Sequence, residues 1–419
     1  MKKVLIKAPL LTQSGYGHHG RTVLRALRTR EDLFDVYIQA ISWGHTSWLW
    51  QDDEERRWID DNIQKTIKFI NNGGSFDVSL QVTIPNEWEK LAPVNVGITA
   101  GIETTKVAPQ WIDKSYLMDK IITISEHAKQ SYANTTYAPA NPQFGQTEIK
   151  CKTPIDVVHY PVLEVKPENL DLDLKTKFNF LVVAQASPRK NIDKTIKCFM
   201  ESFGDNEDVG LVIKTNIAKN SLIDRNNVVN TFKQVLSNYE GRKCKVYILH
   251  GCMTSGELAS LYTHPKIKAI VSSTHGEGFG LPLFEAAYYG LPVIATDWSG
   301  HLDFLYKPTQ TKNKKTKNKH MFGRVTYTLQ PVEKNAVWEG VIQADSMWAY
   351  PEEGSLKMNM EELYKDHGRF KKRSKELQKY VKETFTEEAQ YAKYVESIKS
   401  VCNFDTDKEI DDLFNSLQE

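Results

Sequence analysis

Apolar residues in this chain come in short runs, each followed by a loop of glycine or small polar residues and then by an amphipathic stretch. Lys3–Lys7 (KVLIK), Asp35–Ile38 (DVYI), Asn95–Ala100 (NVGITA) and Lys120–Ile124 (KIITI) make a first series. Phe178–Ala184 (FNFLVVA), Val209–Lys214 (VGLVIK), Lys245–Leu249 (KVYIL) and Ala269–Val271 (AIV) make a second. Runs this short and continuous predict buried strands, and their alternation with helical stretches predicts parallel, doubly wound sheets. Between the two series, residues 164–177 are polar, contain Pro167 and follow no period, as an interdomain linker does.

The most informative stretch runs from Ala269 to Asp297: strand, glycine loop, helix, strand. Pro282 suits the first turn of the helix and Gly290 its left-handed end. The loop His275-Gly276-Glu277-Gly278-Phe279-Gly280 predicts close approach of backbone to a ligand, with the N–H groups of Gly278, Phe279, Gly280 and Leu281 aimed at a phosphate. Two carboxylates, Glu277 and Glu285, are unusual beside an anion site unless the ligand also carries hydroxyls or a developing positive charge, as a sugar on a nucleotide does.

At 419 residues, 40% hydrophobic and 26% charged, the chain suits two globular domains. No apolar run reaches the roughly 20 residues a membrane span needs, and the start MKKVLIKAPLL is too short in its apolar part for a secretory signal, so a cytoplasmic protein is expected. Cys151, Cys198, Cys244, Cys252 and Cys402 have no metal-ligand spacing and predict free thiols.

Other strings carry candidate chemistry. After the first strand, Gly15-Tyr16-Gly17-His18-His19-Gly20 predicts a loop before a helix over Arg21–Arg28. It is formally a dinucleotide fingerprint, but it lies too far from the strand and lacks the later ribose-binding acid. Arg189 and Lys190 follow a strand and precede a helix, where cations clamp a diphosphate. Asp171-Leu172-Asp173 sits in the linker without a strand before it and reads as a decoy, so no metal site is assigned. Lysines crowd residues 307–324, which contain no acid and read as a solvated loop or as a grip on DNA or an anionic membrane surface. Trp43, Trp48, Trp50 and Trp58 cluster in a segment that either stacks on a ligand or caps the core.

With Glu277 and Glu285 spaced E-x7-E, EGFGLPLFEA followed by GLPVIAT resembles the donor-site signature of family 4 retaining glycosyltransferases, which have the GT-B fold. The resemblance implies an α/β protein with two doubly wound Rossmann-like domains facing a central cleft. Residues 1–163 would be the acceptor domain, joined by crossover helices at about 387–419, and 178–386 the nucleotide-sugar donor domain.

It also implies a nucleotide diphosphate sugar as donor, UDP-glucose-like, with no cofactor. Arg189 and Lys190 would hold the phosphates, Gly251 to Met253 the base, Glu285 the ribose diol, and Glu277 and Glu103 the sugar. Gly15 and Gly17 would lie near the phosphates. Ile102 replaces a histidine that many relatives carry, and the Gln185 region replaces an arginine.

TQSGYGHHGR and GIETTKV are similar to phage-encoded members, which would place the protein in a host cytoplasm. A hydroxymethylated pyrimidine in DNA then becomes one acceptor, beside a glycan, lipid or protein. His18 and His19, with Lys314, Lys315 and Lys317 on the DNA phosphates, would serve it. A nucleotide-sugar epimerase and a non-catalytic sugar-nucleotide binding protein are the alternatives, and nothing in the pattern specifies an oligomer.

Overall fold

A computed structural model describes residues 1–139, 148–310 and 315–402. The four runs of the first series form β1 (Lys2–Ala8), β2 (Phe34–Ala40), β4 (Val94–Thr99) and β5 (Lys120–Thr123), and two strands that the pattern did not predict, β3 (Val78–Val82) and β6 (Ile155–Val157), join them, with helices α1 (Gly15–Arg28), α2 (Glu54–Asn71), α3 (Pro109–Ser115) and α4 (Glu126–Ala133) between them. The strands pair in parallel in the order β2-β1-β3-β4-β5-β6.

The second series forms β7 (Phe178–Val183), β8 (Val209–Lys214), β9 (Lys245–Leu249), β10 (Ile267–Ser272) and β11 (Val293–Thr296). Their helices are α5 (Ile192–Phe203), α6 (Leu222–Leu236), α7 (Ser255–Thr263), α8 (Leu281–Tyr288) and the short α9 (Leu302–Leu305). Then come β12 (Tyr306–Gln310), β13 (Thr316–His320), β14 (Gly323–Val325), β15 (Tyr327–Pro331) and β16 (Met347–Pro351). Helices α10 (Glu353–Lys365), α11 (His367–Thr384) and α12 (Glu387–Lys399) complete the described chain.

The second sheet runs β14-β11-β10-β7-β8-β9. β7 and β10 are neighbours there, yet the chain leaves them toward opposite edges of the sheet, which opens a crevice at their carboxyl ends. The loops carrying Arg189-Lys190 and Glu277 both leave that crevice. At the far end of the chain, α12 packs on α1, and Tyr394 and Ile398 are buried among Val4, Ile6 and Leu24 of the first sheet's core.

Three expectations are corrected. Gly15 to Gly20 is not a loop: Ser14 caps the helix by accepting from the Gly17 N–H, and α1 runs straight through the glycines. Gly17 is there because a Cβ would lie 2.3 Å from the Thr12 carbonyl oxygen, a packing reason rather than a ligand one. The lysine-rich stretch 307–324 is not an irregular loop either. β12 and β13 pair antiparallel into a two-stranded ribbon, and β14 becomes the edge strand of the second sheet. Lysines are poor strand formers, so the period of this stretch is masked by charge.

A further departure is the segment between β15 and β16. It reaches across to the first sheet's unit, where Val341 is buried with Trp88 and Trp111. The Thr105 N–H donates to the Met347 carbonyl at 2.9 Å, and Asn86 donates to the Gly340 carbonyl at 2.9 Å. Among the described residues no helix is long and apolar enough to cross a membrane.

Candidate active site

The loops after β7 and β10 are stitched together before any side-chain chemistry begins. Pro188–Lys190 forms a 3-10 turn that ends at Asn191, held left-handed at φ 53°. Ser273 Oγ donates to the Asn191 carbonyl at 2.7 Å, and the His275 N–H donates to the Arg189 carbonyl at 2.9 Å. This fixes Arg189 and Lys190 opposite Glu277.

Lys190 Nζ lies 2.6 and 2.7 Å from the two carboxylate oxygens of Glu277. Arg189 Nη1 donates to the Gly276 carbonyl at 2.6 Å and lies 3.2 Å from Glu277, while its Nη2 lies 3.2 Å from Glu103 on the opposite sheet's loop. Burial alone would raise the Glu277 carboxyl, but Lys190 and Arg189 outweigh it and hold it down to about 2. Burial works against the Arg189 charge too, and Glu103 and Glu277 overcome it, leaving its pKa raised. For Lys190 burial wins, and its pKa falls below the ordinary value despite Glu277. An ion cluster with its acids and bases so closely matched is poised to exchange partners when an anion enters.

Glu277 is also braced from behind. Its N–H donates to Ser299 Oγ at 2.7 Å, and its carbonyl accepts the Gly300 N–H at 2.9 Å. His301 packs under Gly280, with Nε2 2.6 Å from the Thr296 carbonyl and a buried Nδ1 that has no partner. Ser299, Gly300 and His301 escaped the sequence reading, and the Ser-Gly pair after a strand was the available signal.

Gly276 and Gly278 also make room for the backbone of the facing unit, a reason the sequence did not show. A Cβ on Gly276 would lie 2.4 Å from the Glu103 carbonyl oxygen, and one on Gly278 would lie 2.8 Å from that of Ala100. Backbone from the first sheet's unit occupies the space the missing side chains leave. Gly280 is left-handed at φ 88° and precedes α8, whose amino end carries the N–H of Leu281. The Phe279 side chain is core, packed on Phe284, Phe304 and Tyr160, so only its backbone is available to a ligand.

Glu285 faces a cavity of about 350 Å³ between α1 and α2 on one side and α7 and α8 on the other. Burial pushes its carboxyl up to about 7, partly offset by the Tyr262 hydroxyl, which donates at 2.8 Å. A folded-state pKa above the ordinary value means the folded protein binds the proton more tightly. The contribution is therefore fully present below about pH 4.3 and is lost as pH rises through about 7. Glu285→Gln should flatten that decline; denaturant midpoints at pH 5, 6, 7 and 8 check it, wild type falling relative to the variant.

The remaining sequence candidates are dispersed. Gly251 is left-handed at φ 113°, and its carbonyl accepts from Lys214 at 2.7 Å; Met253 is half-buried beside the core. Gly15 is exposed with open space around its Cα. His18 lines the cavity, kept neutral by burial, which lowers its pKa to about 3. His19 is fully buried and bonded to the Tyr394 hydroxyl at 3.0 Å, so it cannot meet an acceptor. Lys317 is exposed on the ribbon and Lys315 is exposed just before β13, both far in sequence from the cluster, and Lys314 lies outside the described residues. Trp43 packs against Tyr16 with tilted rings, centroids 4.3 Å apart, whereas Trp48 and Trp50 are exposed.

Two six-stranded parallel sheets with their loops facing across one boundary match solved structures over their whole length. Sucrose-phosphate synthase from Thermosynechococcus elongatus aligns over 96% of this chain and 99% of its own, with TM-score 0.60 and 12% identity. Anabaena HepE, solved with UDP and glucose, aligns over 96% and 100%, with TM-score 0.58 and 12% identity. The fold is GT-B.

Within this GT-B chain, residues 168–313 match the family profile of glycosyl transferases group 1. The serotype-specific mannosyltransferase WbdA of Escherichia coli is 31% identical over 119 residues, 28% of this chain. That alignment spans only 13% of the relative's length. The profile match covers Arg189, Lys190, Glu277, Glu285 and β12 of the ribbon, and stops before β13.

Proposed function

We propose that the protein is a retaining, metal-independent glycosyltransferase that moves a sugar from a nucleotide diphosphate sugar, UDP-glucose-like, to an acceptor hydroxyl. The observation that carries the reading is the cluster of Lys190, Arg189 and Glu277 at the crevice between β7 and β10, bridged by Arg189 to Glu103 of the facing unit. The group 1 family match over the same residues supports it.

In this reading the donor diphosphate takes Lys190 and Arg189 away from Glu277. The two cations and the N–H groups of Gly278 to Leu281 then neutralise the charge that grows as the anomeric carbon–oxygen bond breaks, each donor contributing about 3 kcal/mol. Glu277, released from its cations, accepts hydrogen bonds from sugar hydroxyls and faces the positive charge developing at the anomeric carbon. Glu103 approaches the same sugar from the other side. Glu285 accepts from the ribose diol, and Gly251 to Met253 flank the base. The acceptor oxygen bonds to the anomeric carbon on the face the phosphate leaves, and its proton passes to the leaving phosphate oxygen.

Nucleotide release from a panel of uridine, guanosine and adenosine diphosphate sugars tests the assignment, with Glu277→Ala expected to lower release about 100-fold or more. A free, altered sugar released without an acceptor would instead indicate an epimerase. Tight donor binding with no turnover would indicate a sensor.

A further inference from the structure

We infer that the ribbon of β12 and β13 is a duplex DNA-binding element at the lip of the cleft. Its antiparallel register sets Lys307 directly opposite Lys319, and Thr309 opposite Lys317. Successive side chains alternate across a strand, so Lys307, Lys317 and Lys319 share one face. Like charges directly opposite each other destabilise a ribbon. A polyanion laid along that face turns the repulsion into attraction.

The neighbouring helix α11 is predominantly of the same sign, with Glu376 and Glu383 as its acids, paired with Lys319 and Lys379. Lys319 reaches Glu376 of α11 at 3.5 Å, and Arg373 of α11 donates to the Phe322 carbonyl, so helix and ribbon lie side by side. α11 exposes Lys372, Lys375 and Lys379 to solvent. The half-exposed Lys319–Glu376 pair is weak enough for a phosphate to displace it.

Two points favour duplex DNA over a membrane surface. A two-stranded β-ribbon has the dimensions that the major groove admits, with lysines available to the flanking phosphates. Membrane-surface elements pair such charge with inserted apolar side chains, and no described residue of β12, β13 or α11 exposes a large apolar side chain.

The ribbon also has a fixed relation to the candidate active site. At its root the Tyr306 hydroxyl donates to Asp297 at 2.8 Å, and Arg324 pairs with Asp297 at 2.8 Å. The same short segment continues through Ser299 and Gly300 to the back of Glu277. A duplex on the ribbon is thereby presented beside the sugar-transfer cluster, an assignment of acceptor carrier that rests on the glycosyltransferase reading.

The test uses the full chain, a fluorescent 30-base-pair duplex and anisotropy from 50 to 300 mM salt. Wild type should bind with a steep salt dependence. The triple variant K307S/K317S/K319S should bind at least tenfold more weakly at 100 mM salt, with the slope of log K against log salt reduced by about 2–3. The triple Lys→Arg variant should keep binding. No duplex binding by wild type, an unaltered slope in the serine variant, or preference for phosphatidylglycerol vesicles over duplex would each overturn the inference. Donor-dependent nucleotide release by the wild type is measured separately, without duplex. Its absence in wild type would count against the transferase reading alone, since the duplex measurement does not need turnover.

Discussion

Replacing Lys190 by methionine is expected to lower nucleotide-sugar turnover by about 100- to 1,000-fold and to destabilise the unliganded protein by about 3–5 kcal/mol. Both effects follow from one geometry. Lys190 is the nearest cation to Glu277, touching both carboxylate oxygens, and neither group is more than slightly exposed. Without it the carboxylate keeps only Arg189 at 3.2 Å, which must also serve Glu103.

A buried charge stripped of its main partner costs more than the pair was worth. The double variant Lys190→Met with Glu277→Gln should therefore recover most of the stability and none of the turnover. Thermal or denaturant melts beside initial rates separate the two; recovery of turnover in the double variant would remove Lys190 from the chemistry.

The same cluster sets an acid limit. With Glu277 held at about 2 in the folded protein, against about 4.3 for an ordinary glutamate, it contributes about 3 kcal/mol of stability. That contribution is present above about pH 4.3 and lost as pH falls toward 2.

Gly300→Ala should be the most damaging substitution that removes no functional group. A Cβ there would lie 1.9 Å from the Gly278 carbonyl oxygen and 2.9 Å from that of Glu277. Both obstacles are backbone, so relief requires the 297–301 segment to swing away from the Glu277 loop. That breaks the Gly300 N–H bond to Glu277 and the Ser299 bond with it. About 3 kcal/mol of stability and nearly all turnover should be lost together. Gly15→Ala, where the added Cβ meets nothing, is the matched control and should melt like wild type. Turnover surviving in Gly300→Ala would show that the brace behind Glu277 is dispensable.

The candidate site was legible in the sequence where it depends on local punctuation. Pro282 and Gly290 do bracket α8, and the strand-then-cation order at Arg189-Lys190 does put both cations at the end of β7. It was illegible where two meanings share one residue type. Glycine permits a ligand's approach and equally a neighbouring backbone's; at Gly276 and Gly278 the neighbour is Glu103 and Ala100. Gly15, Gly17 and Gly20 looked like a loop because glycine weakens helices, yet the Ser14 cap and the packing against Thr12 and Leu10 overrode propensity. The lysines of 316–320 hid a strand because charge erases the period on which strand prediction relies.

Sequence by itself determined the parallel, doubly wound character of both sheets, since most of their strands are written as continuous apolar runs; β3 (VSLQV), β6 (IDV) and β14 (GRV) are interrupted by polar residues and were not legible. It also determined which acids and bases sit at strand ends. Tertiary structure alone decided that Lys190 neutralises Glu277, that Arg189 spans to Glu103, and that Ser299-Gly300 braces the loop. Those are contacts between segments more than 20 residues apart, set by which strands become neighbours. No local period or propensity encodes that choice; it comes from packing the crevice between β7 and β10 against the loops of the opposite sheet.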